Sequence, residues 1–342
     1  MIVEEIKNAN ILVTVIIPTY GRSDLLSRAV ISVLDQTYAY LEIIVVDDND
    51  SDSLYRKETE QIMRNYSDND KIIYHKHEKN AGGCAARNSG INISNGEYIG
   101  FLDDDDEWLP EFVEKHLDKF VDKSIGAVYC KHIVSHDKNK KIYQVNARSK
   151  NLKGWLFVDL LSGWCPVSTS LFLVKKDCFC MVGLFDDNLE SFQDYDMWLR
   201  IAQEFKFDYC EECLVIKHRH GNDQISVNPI TRQNGLNTFT KKWLNLINQE
   251  NTVLFQKSIN KHQKTIYYNE FLLYRKKGDI SASILVIKRY LKLGESDYFT
   301  LLKMVLILLF GIKVMGVLQE AVRYLKPIMY KSHLLQNKHH QL

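Results

Sequence analysis

Three short apolar runs constrain this chain more than anything else in it, because each stops at a polar turn and two of them run directly into aspartates. ILVTVII (Ile11 to Ile17) is continuous and rich in β-branched residues, the pattern of a strand buried on both faces. LEIIVV (Leu41 to Val46) leads into Asp47 and Asp48, and EYIGFL (Glu97 to Leu102) leads into Asp103, Asp104, Asp105 and Asp106. Helical patterns lie between the strands. Ser23 reads as an N-cap before a stripe of Leu25, Leu26, Ala29, Val30, Val33 and Leu34. A charged helix is predicted over 54–66, a short strand at Lys71 to His75, and a helix from Gly82 to Ile93. This alternation implies an α/β fold with a mostly parallel sheet covered by helices.

The middle of the chain is less regular. IGAVYC (Ile125 to Cys130) and KIYQV (Lys141 to Val145) are expected to pair around SHDKNK, TSLFLV (Thr169 to Val174) to form a buried strand, and LVIKHRH (Leu214 to His220) a last short one. YDMWLRIAQEF has helical spacing. From about Thr231 only helical patterns recur, so a domain of residues 1–230 and a helical C-terminal region of residues 231–342 are expected. The apolar stretch Met304 to Ile312 is shorter than the ~20 residues a membrane span needs. It reads as a docked helix, with a helix lying on a membrane surface as the alternative.

The formal net charge of +1 excludes a broad nucleic-acid surface. Seven irregularly spaced cysteines and a polar N-terminus point to a reducing cytoplasm. Cys178/Cys180 with Cys210/Cys213 make a loose zinc pattern, for which small buried thiols are the better reading.

The chemistry concentrates at strand ends, where open α/β sheets bind ligands. Four adjacent aspartates repel one another, and a hard divalent cation, Mg2+ or Mn2+, relieves that repulsion while bridging to phosphates. Asp47 and Asp48 can accept hydrogen bonds from a base or a ribose, although a helix start here would also use Ser51 or Asp52 as a cap. Pro18, Thr19, Tyr20 and Arg22 form the turn after the first strand. Asn80 to Gly83 opens a helix whose N–H groups favour anions, with Arg87 one turn on. Its glycines do not fit a dinucleotide fingerprint.

Taken together, VTVIIPTYGR, SVLDQTY, EIIVVDDNDSD, NAGGCAARNSGI and GEYIGFLDDDDEW resemble the inverting family 2 glycosyltransferases of the GT-A fold, over roughly residues 11–228. The resemblance implies nucleotide-sugar contacts from Pro18, Thr19, Tyr20, Arg22, Asp47, Asp48, Asn80, Gly82, Arg87, Asp103, Asp104 and His220. It implies a metal held by Asp105 with His220, and Asp194, in SFQDYDMWLR, as general base; Gln193 stands where the family often has Glu. Trp164 reads either as an acceptor-facing aromatic or as a core residue. The implied activity is transfer from a UDP-sugar to a saccharide or lipid-linked acceptor in surface polysaccharide synthesis, in the cytoplasm or at the inner membrane face. The alternatives are a nucleotidyltransferase and a non-catalytic module of an assembly complex.

Overall fold

The structure is a computed structural model that describes residues 10–136, 141–144, 152–164, 168–219, 228–294 and 297–312. Its described strands form one sheet. β1 (Val13–Thr19), β2 (Leu41–Asp47), β3 (Ile72–Lys76) and β4 (Tyr98–Phe101) lie in the order β3-β2-β1-β4, all parallel. The helices between them are α1 (Ser23–Leu34), α2 (Leu54–Met63) and α3 (Gly83–Ile93). Burial explains the composition of these strands: Val13, Val15, Ile16, Ile17, Ile43, Ile44, Val45 and Val46 are all fully buried. With the sequence of strands reversing beside β1, the carboxyl ends of β1, β2 and β4 open onto one crevice.

The sheet continues through β8 (Phe172–Lys175), β6 (Ile125–His136), β9 (Lys206–Arg219) and β5 (Asp106–Trp108), with β7 (Lys141–Gln144) paired to β6. The short helices α4 (Phe112–Leu117), α5 (Phe157–Leu161) and α6 (Lys176–Val182), and the longer α7 (Gln193–Glu204), lie between these strands. β6 and β9 pair in parallel over most of their length, while β4/β8, β6/β8 and β5/β9 are antiparallel.

Several boundaries differ from the sequence expectation. β7 pairs with Ile133–His136, at the far end of a twelve-residue β6, and not with the 125–130 segment. β9 runs for 14 residues along β6, longer than expected because its exposed Glu211 and Glu212 hide its first half from a reading by apolar pattern. In TSLFLV, Thr169–Leu171 forms a 3-10 turn before β8. Ser23 begins α1 instead of capping it, and its hydroxyl donates to Glu58 at 3.0 Å. Ser53, not Ser51 or Asp52, caps α2, accepting the Arg56 N–H at 3.1 Å.

Four helices follow: α8 (Pro229–Leu244), α9 (Gln249–Lys276), α10 (Ile280–Lys292) and α11 (Tyr298–Phe310). The chain divides into two compact units. One comprises residues 1–224 and 237–258, the other residues 225–236 and 259–342. The second has its own core of Phe271, Val286, Tyr290, Met304 and Ile307. The apolar stretch at Met304 therefore docks one face of α11 by burial, while Tyr298, Leu302 and Leu309 remain exposed. No helix among the described residues is long and apolar enough to cross a membrane.

Gly100 sets how β4 passes the turn that follows it. A Cβ there would lie 2.5 Å from Cη2 of Trp108, whose indole is buried, stacks on Phe112 at 3.8 Å and donates to the Ser170 carbonyl. Overpacking at such a site costs about 1–3 kcal/mol. Gly100→Ala is expected to lower the thermal midpoint accordingly, and calorimetry showing an unchanged midpoint would disprove this packing.

Candidate active site

Asp103 to Asp106 leave the end of β4 and turn directly into β5: Asp103 is partly exposed, while Asp104 is inaccessible, Asp106 1% exposed and Asp105 8%. Each carboxylate meets a cation. Arg22, just past β1, reaches Asp104 and Asp105 at 2.7 Å each. Arg87 of α3 pairs with Asp103 at 2.7 Å, and Lys217 of β9 with Asp106 at 3.0 Å. Hydroxyls complete the set: Thr19 donates to Asp104 at 2.8 Å and Ser170 to Asp106 at 2.7 Å.

Compensation is uneven. Burial pushes the Asp104 carboxyl up to about 7, with Asp105 and Asp103 adding to the effect against Arg22 and Thr19. Burial likewise raises Asp106 to about 6. At Asp103 burial acts upward too, but Arg87, Lys217 and Arg22 outweigh it and hold that carboxyl below its usual range. Asp103, Asp105 and Asp106 can each present an oxygen within 4.8 Å of the others. Hard oxygen donors at this spacing, in a turn where Asp104 and Asp106 are driven toward protonation, fit a small divalent cation.

One side of the crevice is built from β1, β2 and the turn before α3. Asp48 is 3% exposed, and its backbone N–H donates to the Thr19 carbonyl at 2.9 Å. Its carboxylate accepts the Ala81 and Gly82 N–H groups at 2.8 Å each, Asn80 Nδ2 at 3.1 Å and His77 Nδ1 at 2.8 Å. Four donors fill the lone-pair sites of a carboxylate. Asp48 thus ties β2 to the turn, and Gly82 (φ +91°) gives that turn a backbone that L side chains rarely adopt. His77 Nδ1 donates to the Asp48 carboxylate, and its Nε2 lies 2.8 Å from Ser89 Oγ. Asp47 is wholly buried and engaged by Arg56 at 2.9 Å, Tyr74 at 2.5 Å and Asn49. It braces the wall beneath the crevice. Pro18 is partly exposed at the end of β1, and Tyr20 is 53% exposed just beyond it.

Asp194 joins the acidic turn from the other half of the sheet. It lies in the first turn of α7, accepts the Thr169 N–H, and feels Arg87, Asp103 and Lys217. Burial is the largest influence and raises its carboxyl above the ordinary range, against Arg87. The residue before α7 proper, Phe192, is left-handed (φ 66°), a conformation that costs energy in a non-glycine residue. Its ring stacks on Phe239 of α8 at 5.5 Å. One turn in, Asp196 is inaccessible and holds Trp243 Nε1 at 3.0 Å, Lys242 at 2.9 Å and Arg200 at 2.9 Å. The C-terminal end of α8 thereby fixes the start of the helix that carries Asp194.

The structure thus brings Thr19, Arg22, Asp48, Asn80, Gly82, Arg87, Asp103, Asp104, Asp105 and Asp194 into one connected network. His220 lies outside the described residues. Trp164 rests against Tyr129 at 5.7 Å, partly buried. Cys178 and Cys210 bond backbone carbonyls as buried thiols, and the acidic turn supplies the one metal-competent group of His, Cys, Asp and Glu among the described residues. Sequence reasoning missed Lys217, Ser170 and His77. A lysine inside the apolar LVIKHRH strand was a usable signal for the first; the others carry no pattern.

Residues 14–177 match the model of glycosyl transferase family 2. The uncharacterized glycosyltransferase MJ1057 of Methanocaldococcus jannaschii is 31% identical over 258 residues, covering 72% of this chain and 84% of that protein. WcaA of Escherichia coli, a glycosyl transferase assigned to colanic acid biosynthesis, is 31% identical over 239 residues, covering 64% of this chain and 77% of WcaA. The chain spans 64% of the length of a Rickettsia prowazekii glycosyltransferase, RP339, at 32% identity. Among solved structures, TarS of S. aureus superposes with a TM-score of 0.58 at 17% identity, over 83% of this chain and 49% of that one. A TarS fragment, residues 1–349, in complex with UDP-GlcNAc gives 0.51 at 15% identity, over 82% and 92%. The mannosyltransferase PcManGT of Pyrobaculum calidifontis, in complex with GDP-Man and Mn2+, gives 0.56 at 17% identity, over 89% of each chain. The chain is a member of glycosyltransferase family 2, with the GT-A fold and kinship to enzymes of polysaccharide biosynthesis.

Proposed function

We propose that this protein transfers a sugar, with inversion, from a nucleoside diphosphate sugar to a saccharide or lipid-linked acceptor hydroxyl in surface polysaccharide synthesis. The observation that carries this reading is Arg87, which pairs with Asp103 of the acidic turn and also faces Asp194. A donor-side cluster and a candidate base thereby share one cleft. A UDP-sugar is the donor we favour, supported by the UDP-GlcNAc bound to TarS; the GDP-Man bound to PcManGT supports the wider class.

Asp105, with Asp103, would hold Mg2+ or Mn2+; bound there, the ion supplies positive charge to the departing diphosphate. The rest of the work falls to this chain's own side chains. Pro18, Thr19 and Tyr20 line the nucleoside side, with Asn80 and Gly82 shaped by Asp48. Asp104, expected from the resemblance to face the ribose or the donor sugar, is inaccessible and instead holds Thr19 and Arg22 from beneath, while Arg22 and Arg87 set the charge of the cleft. Asp194, oriented by the Thr169 N–H, takes the proton of the acceptor hydroxyl as that oxygen attacks the anomeric carbon from the face opposite the leaving group. His220 is proposed to assist at the diphosphate. The exposed apolar edge of α11 suits peripheral contact with the inner face of the membrane.

Asp194→Asn is expected to lower kcat by about 10²–10⁴-fold while UDP affinity changes little; parallel loss of both, by transfer assay and calorimetric titration, would refute the base assignment. Asp105→Asn is expected to weaken Mn2+-dependent UDP binding, and an unaltered Mn2+ dependence would show that another residue is the ligand. Because the ionised form of Asp194 is the active one and its carboxyl is raised by burial, kcat/KM is expected to fall as pH drops through a midpoint above the ordinary aspartate value. A pH–rate profile that stays flat down to pH 4 would contradict this.

A further inference from the structure

Lys217 belongs to none of the roles above, yet the fold places it as firmly as any of them. It stands directly opposite Asp106 in the antiparallel register of β5 and β9, so strand pairing itself holds ammonium and carboxylate together. Its Nζ lies 3.0 Å from Asp106 Oδ2 and donates to Ser168 Oγ at 2.7 Å. The same Asp106 oxygen accepts the Ser170 hydroxyl at 2.7 Å, so Oδ2 is filled and only Oδ1 is left to offer. Arg22 differs: its side chain is 41% exposed and stretches across Asp104 and Asp105 from a turn. Asp106 therefore has a cation fixed by strand register, whereas the cation at Asp105 is shared with Asp104 and comes from a turn.

We propose that Lys217 is an internal counter-cation that removes Asp106 from the metal's ligand set, confining the divalent ion to the Asp103 and Asp105 side of the turn. This rests on the metal-assisted reading of the same cleft. It predicts that Lys217 and the ion compete electrostatically without competing for ligands.

The test is titration of the metal-free full-length protein with Mn2+, following the electron paramagnetic resonance signal of the free ion, with thermal midpoints recorded alongside. The double variant Asp106→Asn/Lys217→Met, which removes the pair at constant net charge, is expected to keep Mn2+ affinity within about threefold of the parent, while Asp105→Asn loses at least tenfold. Lys217→Met, which removes the charge, is expected to bind Mn2+ at least tenfold more tightly, and Lys217→Arg to resemble the parent. A loss from the double variant as large as that from Asp105→Asn would make Asp106 a ligand and overturn the proposal, even if Lys217→Met alone does not fold. A folded Lys217→Met with unchanged or weaker Mn2+ affinity would overturn it as well. If the parent itself binds no Mn2+, the metal-assisted reading fails, and this proposal falls with it.

Discussion

Crowding four carboxylates into one buried turn is the constraint around which the cleft is arranged. Repulsion among neighbouring acids in a poorly solvated place is costly, and side chains pushed toward protonation register that cost. Cations arrive from three separate elements, the turn after β1, the helix α3 and the strand β9, so the electrostatic requirement of one short segment ties both halves of the sheet together. The same need for charge balance makes the cleft receptive to a divalent ion and to the phosphates that accompany it.

Around that cluster the protein distributes rigidity unevenly. Asp48 is saturated by a glycine-shaped turn and an oriented histidine, so one wall of the crevice is stiffened from behind. Asp47 and Arg56 brace the layer beneath. Tyr20, by contrast, projects into solvent at the lip of the crevice, and the partly exposed Arg22 reaches from there to the acidic turn. A rigid floor with adaptable side chains at the mouth is suited to gripping a phosphate-bearing ligand that must afterwards leave.

Much of this was readable from the chain because burial on both faces leaves an unbroken apolar record. β1, β2 and β4 were found with their ends nearly in place, and so were the acids that follow them. The second half of the sheet was harder. β9 alternates exposed acids with buried apolar residues, and its length comes from its pairing with β6, which no local pattern encodes. Capping was also misjudged: Ser23 spends its hydroxyl on Glu58, a partner 35 residues away. Lys217 escaped notice because its importance depends on register across two strands that are distant in sequence.

The anchoring of α7 has a consequence for how the chain can be divided. Asp194 is carried by a helix whose first turn is pinned by Phe239, Lys242 and Trp243, residues that follow the last strand and lie beyond the segment matched by the family model. A fragment ending after the sheet would keep every acidic residue of the cleft but expose the buried Asp196 without two of its three partners. The support of α7 therefore extends to a tryptophan in a later helix, and grafts or chimaeras joined upstream of residue 243 would separate the candidate base from it.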